Sequence, residues 1–133
     1  MFSTPCGILL LMSDYLFRVG SFTLHSGKES TWKIDCDALL DEELEAIANI
    51  ARDNLPHFGA VHGIPTGGLR LARAFEPYRV GGSNITLIVD DVLTTGRSMV
   101  EAKQDFRFPV GFVIFARGEC PDWITPMFRC SLS

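Results

Sequence analysis

The run Ile85-Thr86-Leu87-Ile88-Val89 restricts the fold more than any other part of this chain. It is β-branched and leucine-rich without polar alternation, which predicts a strand buried on both faces. A turn from Asp90 to Gly96 follows, then a helix from about Arg97 to Phe106. The same order appears upstream: an apolar run from Ala60 to Ile64, the turn Pro65-Thr66-Gly67-Gly68, then Leu69, Leu71, Ala72 and Phe75 at helical spacing. A third strand is expected from Val110 to Ala116. Apolar strands alternating with helices predict an α/β fold with a parallel sheet flanked by helices, and a ligand crevice at the carboxyl ends of the strands.

Ahead of this core, Asp37 reads as an N-cap. It opens a helix in which Leu40, Leu44, Ile47, Ala48, Ala51 and Leu55 fall at steps of three and four, with Pro56 as its stop. Ser21 to Leu24 and Thr31 to Cys36 read as two short strands around the turn Ser26-Gly27-Lys28, a small N-terminal flap beside the crevice. Between Pro121 and Ser133, Pro121 and Pro126 argue against a long element. The 133 residues, with no repeat or linker-like stretch, predict a single domain. Its parts are a flap region 1–36, a core 37–120 and a C-terminal extension 121–133.

Charge and composition exclude several classes. With 12 basic against 16 acidic residues the net charge is -4, so the basic field that drives phosphate-backbone binding is missing and no nucleic-acid partner is expected. The apolar run Ile8 to Met12 is far shorter than the roughly 20 residues that span a bilayer, so no membrane association is expected. Cys6, Cys36, Cys120 and Cys130 contain no CxxC pair and no zinc spacing with the three histidines. Isolated thiols in a chain of this size point to the reducing cytoplasm.

The chemistry is concentrated where the buried strand delivers Asp90 and Asp91 to its end. The turn beyond it, Thr94-Thr95-Gly96-Arg97-Ser98, gathers hydroxyls and backbone N–H groups at a helix start, a setting that favours an anion. Carboxylates that close to a phosphate repel it unless they face hydroxyl groups or a divalent cation. The combination therefore points to a ribose 5-phosphate. The plainer alternative is a strand end and helix cap without a ligand.

The stretch from Ile85 to Ser98 resembles the signature of the type I phosphoribosyltransferases, which bind 5-phosphoribosyl 1-diphosphate. The resemblance implies that Asp90 and Asp91 bind the ribose hydroxyls and hold Mg2+, mostly through water, in the catalytic role. It implies that Val92, Leu93, Thr94, Thr95, Gly96, Arg97 and Ser98 line the 5-phosphate site. Gly63-Ile64-Pro65-Thr66-Gly67-Gly68 is similar to the family's pyrophosphate loop, so Thr66, Gly67 and Gly68 are implied diphosphate contacts. Gly20 to Gly27 looks like the flap of the orotate enzymes, with His25 where a lysine is usual, and Phe115 to Glu119 is similar to their base-binding strand end. Base-binding candidates are accordingly His25, Trp32, Lys33 and Arg117. Each has a bland counterpart: His25 as a solvent-facing turn residue, Trp32 as packing, Arg117 as a strand-end cation. His57 and His62 read as structural.

Thr94 stands where many purine enzymes carry an aspartate, and a threonine is no general base, which favours orotate or another pyrimidine as the base. The family's basic mobile loop has no counterpart. Gly68 and Asp90 lie 22 positions apart, and Glu76 to Asn84 carry one basic residue, Arg79. The resemblance thus implies phosphoribosyl transfer to a nitrogenous base with release of diphosphate. A catalytically weak or silent sensor of the same ligand, or an unrelated α/β nucleotide-binding domain, remains an alternative. A homodimer is expected by resemblance alone.

Overall fold

The computed structural model describes residues 16–23 and 29–130, with 17–23 and 29–33 described by their backbone alone. The chain divides into two compact units, Met1–Leu39 and Leu40–Ser133. The first holds an antiparallel hairpin of β1 (Phe17–Thr23) and β2 (Glu29–Ile34), with an irregularity in register between Val19 and Phe22. Both expected strands are present: the first is longer than the sequence indicates and ends one residue earlier, and the second keeps its length but lies two residues earlier in the chain.

The second unit begins with α1 (Asp41–Ala51). Its start corrects the assignment of Asp37 as N-cap. Asp37 lies in a separate 3-10 turn, Cys36–Ala38, where its N–H donates to Asp35 Oδ1 at 3.2 Å. Leu40 occupies the cap position instead, and its N–H donates to Glu43 Oε1 at 2.8 Å, which satisfies one amide at the helix start. Asp41, Glu42 and Glu43 in the first turn suit the positive end of the helix dipole.

Four strands follow in chain order across one sheet: β3 (Ala60–Gly63), β4 (Thr86–Leu93), β5 (Pro109–Arg117) and β6 (Ile124–Cys130), every neighbouring pair parallel. Helix α2 (Gly68–Phe75) joins β3 to β4, and α3 (Arg97–Lys103) joins β4 to β5. Successive strand residues face opposite sides, and Leu87, Ile88 and Val89 are each 0% exposed, so both sheet faces are covered as the apolar run predicts. Phe75 of α2 meets Phe112 edge to face at 5.3 Å between centroids, while Met99 of α3 packs with Ile88 and Val113. Because Phe112 and Val113 point to opposite faces, α2 and α3 flank opposite sides of the sheet.

Two further expectations change. The strand expected to stop at Val89 continues through Asp90 and Asp91 to Leu93, held by parallel pairing of Asp90 with Val113 and Leu93 with Ala116. The C-terminal segment forms a full edge strand despite Pro126. Gly111 N–H donates to Trp123 O at 2.8 Å, so residues 123 and 125 face β5 and Pro126 faces away. A proline there loses no ladder hydrogen bond, and it blunts the open edge. Among the described residues no helix is long and apolar enough to cross a membrane.

Candidate functional site

Parallel pairing brings the carboxyl ends of β3 and β4 together, Gly63 beside Val89, and so sets the two glycine turns side by side. Ile64 N–H donates to Val89 O at 2.9 Å, extending the ladder into the first turn. The Pro65–Thr66 peptide bond is cis. Gly68 N–H then donates to Ile64 O at 2.7 Å and closes the turn, so the Gly68 amide is committed to the fold. No hydrogen bond from the N–H of Thr66 or Gly67 to another described residue is present. Thr66 is exposed and Gly67 half-buried, which leaves these two amides as the donors of the loop.

The second turn leaves β4 at Leu93. Gly96 adopts φ 82°, a left-handed conformation that side chains disfavour, and this reverses the chain into α3. Its carbonyl accepts the Val100 N–H at 2.9 Å. Arg97 N–H donates to Thr95 Oγ1 at 3.4 Å, while no hydrogen bond from the N–H of Gly96 or Ser98 to another described residue is present. Thr95, Arg97 and Ser98 are exposed and Thr94 is half-buried, so hydroxyls, amides and a guanidinium share the solvent side of this turn. Leu93 is the exception. The residue is 2% exposed within the core cluster, so it serves the packing of this turn and presents no side chain to a ligand.

Between the turns stands the acidic doublet, half-buried and next to Val92. Asp90 Oδ1 accepts the Asp91 N–H at 2.8 Å, and Asp91 Oδ1 accepts the Val92 N–H at 2.7 Å. Burial, then the hydrogen bond and the charge of the Asp91 side chain, push the Asp90 carboxyl up to about 8, against the opposing pull of the Asp91 amide.

Among the described residues Asp90 and Asp91 are the adjoining pair of carboxylates here, and no group of three or more His, Cys, Asp or Glu is gathered for a metal. That pair fits magnesium only in its usual mode, one or two carboxylates with water and the oxygens of a phosphorylated ligand completing the shell. Arg117 ends β5, one residue past the partner of Leu93, and therefore lies beside the Thr94 turn. Partial burial lowers its pKa from the ordinary value, with Cys130 on the paired strand opposing the shift. An arginine remains charged regardless.

The site thus gathers Thr66 to Gly68, Asp90 to Ser98 and Arg117 at one end of one sheet. Three base-binding candidates are not placed with them: His25 lies outside the described residues, and so do the side chains of Trp32 and Lys33 on β2. What the sequence reading missed is a contact. A Cβ added to Gly67 would lie 2.6 Å from Asp91 Cγ, so the first turn rests directly on the second acid.

No family model matches the chain, and no curated protein matches it. Solved structures do. An orotate phosphoribosyltransferase from Aeropyrum pernix is 20% identical, with a TM-score of 0.67 over 86% of this chain and 88% of that one. A Leishmania donovani UMP synthase gives 20% identity and a TM-score of 0.67 over 87% of this chain and 34% of that one. The Mycobacterium tuberculosis orotate phosphoribosyltransferase in complex with 5-phospho-α-D-ribosyl 1-diphosphate gives 20% identity and a TM-score of 0.60 over 81% and 86%. At this level of identity the likeness is one of architecture, and the parallel sheet, its flanking helices and the two adjacent turns make this chain an example of the phosphoribosyltransferase fold.

Proposed function

We propose that the chain transfers the phosphoribosyl group of 5-phosphoribosyl 1-diphosphate to a nitrogenous base, orotate or another pyrimidine, releasing diphosphate. The observation that carries this reading is the seating of the Gly67 turn on Asp91: an amide loop for one anion adjoins a carboxylate pair for a diol, and a hydroxyl-rich turn for a second anion lies beyond. Few ligands offer phosphate, diol and diphosphate in that order.

In the proposed reaction the anomeric carbon loses diphosphate and gains a ring nitrogen, through a cation-like transition state. The Asp90 and Asp91 carboxylates orient the ribose hydroxyls and stabilise positive charge developing on the ring. The Thr66 and Gly67 amides hold the departing diphosphate, and the Thr94 to Ser98 turn fixes the 5-phosphate. Arg117 orients an anionic base. Bound magnesium would supply charge neutralisation at the diphosphate. No covalent nucleophile is involved.

A second reading, a protein that binds this ligand without turnover, is favoured by one observation. The segment between α2 and β4 is tied to the opposite end of the sheet from the site. Val80 N–H donates to Phe58 O at 2.7 Å, Ser83 Oγ to His57 O at 3.0 Å and Arg79 Nε to Gly59 O at 2.8 Å. The single basic residue of that segment is thereby held by the fold, with Glu76 as its ion-pair partner at 3.0 Å. A covering loop that excludes water and adds charge to the leaving group is a large contributor to turnover.

Calorimetry with 5-phosphoribosyl 1-diphosphate and magnesium, followed by loss of orotate absorbance in the same mixture, separates the two. Heat with turnover supports the transferase, heat alone the binding protein, and absence of heat refutes both.

A further inference from the structure

We propose that Gly67 is a positioning residue for Asp91: the diphosphate turn sets the direction of the ribose-facing carboxylate by leaving a side-chain volume empty for it. The usual reason for a glycine does not apply here. Gly67 has φ -63° and ψ -27°, a right-handed helical conformation open to any residue. What it lacks is room. A Cβ at this position would meet Asp91 Cγ at 2.6 Å and Oδ1 at 2.7 Å, with Oδ2 nearer still, and those three nearest atoms all belong to one carboxylate.

The identity of the obstructing atoms decides what a side chain would do. Gly68, next along the chain, is buried against the Val89 carbonyl and the Asp90 Cα, which are backbone and cannot yield without moving β4. At Gly67 the obstacle is the free end of an aspartate, which turns about its own side-chain bonds. A residue other than glycine therefore leaves the sheet intact and turns the carboxylate aside, at the cost of its hydrogen bond from the Val92 N–H at 2.7 Å.

The consequence is specific. Substitution in the turn assigned to diphosphate weakens binding of a sugar phosphate that carries no diphosphate, and it does so through Asp91. This part rests on the proposed function, since it takes Asp91 as a ribose contact. The steric part does not.

The test is a double-mutant cycle of Gly67→Ala and Asp91→Ala with two readouts. Crystal structures without ligand are expected to show the Asp91 carboxylate of Gly67→Ala rotated off the Val92 amide over an unmoved backbone, with a melting temperature within about 3 °C of the parent. A displaced loop over an unmoved carboxylate overturns the proposal. In calorimetry with ribose 5-phosphate and magnesium, Gly67→Ala is expected to weaken binding by about tenfold or more when Asp91 is present and by less than about twofold when residue 91 is alanine. An equal loss in both backgrounds also overturns it. If the parent chain binds neither ribose 5-phosphate nor 5-phosphoribosyl 1-diphosphate, the proposed function fails while the crystal structures still decide the positioning role.

Discussion

Asp90 accepts the backbone N–H of Asp91 at 2.8 Å, so the chain itself holds the Asp90 carboxyl beside the neighbouring acid. Burial and the neighbouring side chain push Asp90 from an ordinary 3.8 up to about 8, and between those values the folded chain holds a proton that the unfolded chain has lost. The contribution is therefore complete below about pH 4 and fades as pH rises towards 8. Urea unfolding at a series of pH values is expected to show stability falling by about 1 kcal/mol or more across this window, and Asp90→Asn to flatten that slope. An unchanged slope in the variant contradicts the assignment.

Gly68 packs on strand backbone, and that contact is structural. Gly68→Ala is expected to lower stability by about 1–3 kcal/mol because β4 must shift to admit the methyl group. Urea titration measures it, and a loss below about 0.5 kcal/mol speaks against the packing described.

Phe112, 1% exposed and edge to face with Phe75, joins the sheet to α2. Its truncation to alanine leaves a cavity that a sheet residue paired on both sides cannot close, with an expected cost of about 3–5 kcal/mol in the same titration.

Arg117→Lys keeps the charge but loses the planar fork that suits a carboxylate-bearing base. On the transferase reading, the KM for orotate rises by about tenfold or more while that for 5-phosphoribosyl 1-diphosphate changes little. Steady-state kinetics with each substrate varied in turn distinguishes this from a general loss of activity.

The central architecture was legible because burial on both faces leaves a plain mark: Ile85 to Val89 has no polar alternation to disguise it. The two turns were legible for a related reason, since Gly67-Gly68 and Thr94-Thr95-Gly96 each end an apolar run. Local signals misled where a partner was already taken. Asp37 looks like a helix cap, yet its N–H is bound by Asp35, and the helix starts at Leu40 with help from Glu43. Pro126 argued against a strand because sequence does not reveal that its missing N–H faces an open edge. Acids at 90 and 91 read as the end of β4, but pairing with β5 supplies the backbone partners that carry it to Leu93. The contact of Gly67 with Asp91 had no sequence signal at all, because it depends on the register of β3 against β4.

The most direct measurement is a crystal structure of this chain soaked with 5-phosphoribosyl 1-diphosphate and magnesium. The account predicts the 5-phosphate in the Thr94 to Ser98 turn, the ribose hydroxyls at Asp90 and Asp91, and the diphosphate on the Thr66 and Gly67 amides. Density for the ligand away from these turns, or an empty pocket in a crystal saturated with it, contradicts the account.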